Sequence, residues 1–96
     1  MFEFDLTDEL KFILQKLSKK DRKRVEIINK KIKQIINCDS FSIQHYKNLK
    51  HDLKDFKRVH VDNSFVLIFK VDTQKNHILF VDFDYHDSVY KKRYFS

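Results

Sequence analysis

Between residues 56 and 90 the chain alternates, breaks twice over a few polar residues and alternates again, a pattern that leaves little room for anything but three antiparallel strands in succession. Phe56-Lys57-Arg58-Val59-His60-Val61 alternates, Phe65-Val66-Leu67-Ile68-Phe69-Lys70-Val71 is nearly all apolar, and His77-Ile78-Leu79-Phe80-Val81-Asp82-Phe83-Asp84-Tyr85 is long and aromatic-rich. β-branched and aromatic residues at this density favour a pleated, half-buried surface. The breaks, Asp62-Asn63-Ser64 and Asp72-Thr73-Gln74-Lys75-Asn76, consist of residues that bond their own backbone and so close hairpins. In an up-down-up meander the ends of the first and third strands share one edge of the sheet. His60 and His86 therefore meet there, on backbones roughly 10 Å apart, with room for a substrate group between the rings. A single strand-end histidine is more often a solvated surface residue. Two beside a basic surface suit proton transfer, because imidazole titrates near neutrality.

Upstream, Phe2-Glu3-Phe4-Asp5-Leu6 alternates and predicts a first strand with Phe2, Phe4 and Leu6 on its buried face. Thr7 is placed to cap a helix whose first turn carries Asp8 and Glu9, where the helix dipole favours negative charge. Leu10, Ile13, Leu14 and Leu17 form one stripe of that helix. Asp21 caps a second helix, with Val25, Ile28, Ile32 and Ile35 recurring at three- and four-residue steps. This helical hairpin needs an apolar partner, and one face of the sheet is the surface that fits. Burying Val59 and Val61 then presents Arg58 and His60 on the opposite, open face. Asp82, Asp84 and His86 share a side of the last strand, which supplies acid and base together if that side is the open one. Residues 37–55 read as a long connection with a functional-loop character.

The expectation is therefore α+β, an N-terminal strand, a helical hairpin and a three-stranded meander (βααβββ), with helices on one sheet face and residues 1–96 forming one domain. At 42% hydrophobic and 35% charged, the chain is too apolar for disorder and too interrupted by charge for a membrane span. With no basic segment followed by an apolar core at its start, a cytoplasmic location is expected. One cysteine, Cys38, rules out an internal disulfide. The five histidines make no short ligand motif, so no metal and no cofactor are expected. A formal charge of +6 favours a polyanionic partner. The charge is gathered in residues 19–33, in Lys47, Lys50, Lys54, Lys57 and Arg58, and in Lys91, Lys92 and Arg93.

On these residues the chain resembles the RelE/ParE superfamily of small bacterial and archaeal toxins, and within it the YafQ-like branch. Tyr46-Lys47-Asn48-Leu49-Lys50 with Phe56-Lys57-Arg58-Val59-His60-Val61 is similar to the branch's loop and second strand. Asp84-Tyr85-His86-Asp87-Ser88-Val89-Tyr90 is similar to its terminal segment, where a basic residue is followed four positions later by an aromatic one. The resemblance covers nearly the whole chain. It implies a RelE-like fold and the toxin of a type II toxin-antitoxin pair, a metal-independent endoribonuclease cutting mRNA on the ribosome. It also implies a cognate RelB-like antitoxin in a 2:2 complex, and contact with operator DNA only through that antitoxin, with no membrane association. Carried over residue by residue, His60 and His86 match the branch's two sheet-end histidines and Tyr90 its terminal aromatic. His60 or Asp62 would take a proton from the ribose 2′-OH and His86 would protonate the leaving oxygen. Lys47, Lys50, Lys54, Lys57 and Arg58 would bind the RNA backbone, and Tyr90 would stack on a base. The chain departs from the branch at Lys47, which can be a third His, at Lys57, usually Arg, at His51, usually Gly, and at Ser64, where an Asp is found. Val66 stands where better-known RelE toxins carry an arginine. The rival readings are a non-catalytic ParE-like poison of a protein such as DNA gyrase, and a plain basic RNA-binding module.

Overall fold

The computed structural model describes residues 1–50, 53–89 and 91. The meander forms where the alternation places it, as β2 (Lys57–Val61), β3 (Phe65–Asp72) and β4 (His77–Tyr85), each antiparallel to the next. A chain without glycine must turn its hairpins on other residues. It does so with Asp62 at φ 61° and Asn76 at φ 54°, two of the few side chains that tolerate the left-handed region. The wider turn is closed by Lys75 N–H donating to Asp72 Oδ1 at 3.1 Å.

β1 (Glu3–Leu6) lies parallel to β4, with Phe4 opposite Ile78 and Leu6 opposite Phe80, giving the order β1-β4-β3-β2. Since β2 and β4 both run against β3, β1 and β2 are parallel edge strands. The helical hairpin α1 (Asp8–Lys20) and α2 (Arg22–Ile36) carries the chain from one edge to the other. Thr7 caps α1, its Oγ1 accepting Leu10 N–H at 3.2 Å and donating to Val81 O at 2.6 Å. Asp21 ends α1 and starts α2, taking Arg24 N–H on Oδ1 at 3.1 Å. Leu10, Ile28, Ile32, Ile35 and Ile36 are buried with Phe69, Phe80 and Phe83, while Ile13, Leu14 and Leu17 pack against that core from partly exposed positions. Phe2 is buried, but Phe4, expected beside it, is 42% exposed. It sits on an edge strand and touches the core through an edge-on contact with Phe80.

The opposite sheet face departs from expectation. It is not open: Leu49, Leu53, Phe56, Val66, Ile68, Val81 and Val89 form a second apolar cluster over it. The connection expected as a loop supplies much of this cover. Its first part makes one tight helical turn (Ser42–His45) that buries Ile43 in the first core instead. Its second part returns along β2, with Leu49 N–H on Phe56 O at 2.8 Å and Arg58 N–H on Lys47 O at 2.9 Å. The short helix α3 (His86–Val89) closes the cluster with Val89.

β4 serves both clusters because its alternation slips by one residue. Ile68 pairs with Asp82 and Phe69 with Phe80, leaving Val81 as the extra residue of a β-bulge. Before the slip Ile78 and Phe80 face the helices, and after it Phe83 does. Val81 and Asp82 thus both face the second cluster.

Candidate functional site

The site forms at the end of the sheet where β2 and β4 finish. Val61 pairs with Phe65 and Phe65 with Tyr85, so the residues flanking this rung, His60 and His86, come to one side of it. His86 is fastened by its backbone N–H to Ser64 O at 2.8 Å. The two rings stack, centroids 5.7 Å apart and planes 11° from parallel. This corrects the expectation of a gap between them: the imidazoles lean together across the strand spacing. An open cleft of about 440 Å³ lies there, lined by His60, Asn63, Ser64, Tyr85, His86 and Asp87.

Arg58, two residues before His60 and on the same face, brings Nη1 within 3.3 Å of His60 Nδ1. Guanidinium has no acceptor, so Nδ1 accepts, and the neutral ring carries its proton on Nε2. Desolvation, then the positive charges of Arg58, His86 and Lys47, hold the His60 pKa below the usual histidine value. His86 Nδ1 lies 3.5 Å from Asp87 Oδ1, a fully exposed carboxylate.

The expected backbone-binding residues divide. Lys47, Lys50 and Lys54 are exposed and Arg58 is half-buried. Lys57 is turned inward, 8% exposed, with Nζ donating to Tyr46 O at 3.0 Å and Asn48 Oδ1 at 2.7 Å. Burial lowers its pKa. It lies on the same side of β2 as Val59 and Val61, so strand alternation takes it away from the surface on which RNA was expected. What it does instead is clamp the segment on either side of Lys47.

The acidic expectations also change. Asp82 is buried under the second cluster and accepts Phe83 N–H at 2.9 Å. Asp84 accepts Tyr85 N–H at 2.7 Å. Neither lines the cleft. Asp62 turns to Arg24, Oδ2 to Nε 3.4 Å, and does not line the cleft either. Tyr90, His51, Lys92 and Arg93 lie outside the described residues. Asn63, Tyr85 and the Arg24 behind them went unnoticed in the sequence. The signal available was Tyr85 itself, an aromatic directly before a strand-end histidine. Among the described residues no three His, Cys, Asp or Glu side chains are grouped to hold a metal ion, and no helix is long and apolar enough to cross a membrane.

No family model matches the chain. It is 50% identical over 93 residues to a protein of Methanocaldococcus jannaschii named "Putative toxin RelE4", covering 97% of this chain and 95% of that one. Among solved structures, YafQ from E. coli superposes with a TM-score of 0.70 at 16% identity, covering 94% of this chain and 99% of YafQ. The toxin-antitoxin heterotetramer of YoeB and YefM from Staphylococcus aureus gives 0.70 at 20% identity, covering 90% of this chain and 98% of the matched one. The structural likenesses, at such low identity, speak to the fold: strand, helical hairpin and meander in one order. The first relative speaks to descent, since every second residue agrees over nearly the full length of both proteins, and on that ground this chain belongs to the RelE toxin family.

Proposed function

We propose that this chain is the toxin of a toxin-antitoxin pair and acts as a ribosome-dependent endoribonuclease on mRNA. The observation that carries the reading is the stacked His60–His86 pair, two imidazoles at one sheet end beside Arg58 and Lys47. In the reaction, a ribose 2′-OH attacks the adjacent phosphorus, forming one P–O bond and breaking that to the 5′ oxygen. The products are a 2′,3′-cyclic phosphate and a free 5′-OH. His60, kept neutral by its lowered pKa, takes the 2′-OH proton. His86 gives one to the departing oxygen. Of the two bases considered, His60 and Asp62, the first is supported, because Asp62 is engaged by Arg24.

Base action at Nδ1 requires Arg58 to leave it. A phosphate entering the cleft supplies the reason, being a stronger acceptor for guanidinium than a neutral imidazole. Arg58 would then stabilise the charge of the pentacovalent transition state while uncovering the lone pair that starts the reaction. The ribosome would supply substrate orientation. Lys47, Lys50 and Lys54 would neutralise backbone phosphates.

The partner supported by the YoeB–YefM heterotetramer is an antitoxin in a 2:2 complex, acidic to match a toxin of charge +6. The test of function is cleavage of mRNA on programmed ribosomes with mapped 5′ ends, run on the toxin freed from its co-expressed partner. Cleavage yielding cyclic phosphate is expected. Its absence from folded protein would favour a gyrase-type poison or a binding module.

A further inference from the structure

The cleft has an aromatic wall that the reaction above leaves unused. Tyr85 ends β4 directly opposite Phe65. Their ring centroids are 4.4 Å apart, with planes 27° from parallel. Phe65 is also parallel to Phe83, at 5.0 Å and 5°, and the Arg24 guanidinium lies 4.4 Å from its centroid. Arg24 stands in the first turn of α2 and is flanked by Asp21 Oδ2 at 3.7 Å and Asp62 Oδ2 at 3.4 Å. Tyr85 is thus the outer member of a column rooted in the sheet and in a helix. A lone surface tyrosine samples several rotamers; this one is backed on a fixed ring. Even so, it is 54% exposed, and it lines the same cleft as His60 and His86.

An aromatic ring backed by Phe65 and half uncovered, in one cleft with two imidazoles of which His60 has Arg58 at its Nδ1 and feels the Lys47 charge, fits a ligand that joins a flat π-surface to an anion. That is a nucleotide. The base must be unpaired, since a base within a duplex has no free face to offer. Stacking tolerates any base, because each has a π-face. A charged peptide segment matches the cations but has no systematic use for the ring.

We propose that Tyr85, held by Phe65 and Arg24, is the platform on which an unpaired base next to the scissile phosphate stacks. The substrate class rests on the RNA-cutting reading above; the platform is a positioning feature and takes no part in proton transfer. The experiment uses mRNA carrying 2-aminopurine in the ribosomal A-site codon, with a 2′-O-methyl group blocking cleavage, alongside cleavable mRNA for kinetics. Wild-type toxin should quench the fluorophore on binding. Tyr85→Ala should lose the quench and raise KM roughly 5- to 100-fold with a smaller effect on kcat, with an unchanged thermal melt, and Tyr85→Phe should restore the quench. A wild type that quenches without cutting would keep the platform and overturn the nuclease reading. A wild type that cuts without quenching, or a Tyr85→Ala protein that quenches like wild type, would overturn the platform and leave the nuclease reading standing. Loss of antitoxin capture by Tyr85→Ala, with RNA binding intact, would overturn it in favour of a protein contact.

Discussion

Arg58 donates to the one nitrogen of neutral His60 that can accept a proton, Nη1 to Nδ1 3.3 Å. With desolvation and the charges of His86 and Lys47 it keeps the His60 pKa below the histidine norm. The sign follows directly. A base works unprotonated, so activity rises as pH climbs through the His60 pKa, and the acid limb of kcat/KM should lie below about pH 6.5. Removing a positive neighbour, as in Lys47→Gln, should move that limb upward. An NMR titration of the His60 ring in both proteins reads the same pKa independently. A limb that stays in place in Lys47→Gln while the His60 titration moves would take His60 out of the base role.

His86→Ala should slow mRNA cutting by about 10²- to 10⁴-fold, the range of a lost general acid. Ribosome binding should change little. The side chain is 40% exposed and stands at a strand end, so stability should shift within about 0.5 kcal/mol. Single-turnover cleavage beside a thermal melt separates the two effects. Wild-type cleavage rates in the folded variant would remove His86 from the chemistry.

Lys54 and Lys57, three residues apart, should behave oppositely. Lys54→Ala removes an exposed charge and should weaken RNA binding and flatten its salt dependence without lowering Tm. Lys57→Met leaves Tyr46 O and Asn48 Oδ1 without their buried donor, at a cost of about 1–3 kcal/mol. For a domain this size that is a fall in Tm of at least about 4 °C. Salt titrations and melts on both proteins decide it; a stable Lys57→Met protein with a reduced salt slope would return Lys57 to the RNA surface.

Thr7→Val keeps the shape of the side chain and deletes two bonds, the cap to Leu10 N–H and the donation to Val81 O. The expected loss is about 1–2 kcal/mol, measured by denaturant melts. Thr7→Ser should recover most of it. Equal stability of the valine and serine proteins would show that the cap contributes nothing.

The elements were legible because the chain states them locally. Leu10, Ile28 and Ile35 recur at helical spacing and are all buried, and Asp21 divides the hairpin where its side chain can cap. Val59 and His60 take opposite faces as alternation requires. The site was legible only in part, for reasons that lie beyond local pattern. Cover on the second face depended on Leu49, Leu53 and Phe56 folding back across the sheet, and spacing within a polar connection does not encode that return. The inward turn of Lys57 depended on acceptors at Tyr46 and Asn48, eleven and nine residues away. Asp62 went to Arg24 through a long-range ion pair. The slip at Val81 did leave a trace, in apolar residues at 78 and 80 followed by 81 and 83 in place of 82, and a strict period of two passes over it.

The extra residue at Val81 makes β4 a jointed strand. Upstream of the joint Ile78 and Phe80 answer to the helices; downstream, Phe83 returns to that same face and residues 84–85 lead to the end where the two histidines stack. Without the extra residue the phase of Ile78 and Phe80 would run on to Asp82, carrying a carboxylate toward the helices and turning Phe83 to the other face.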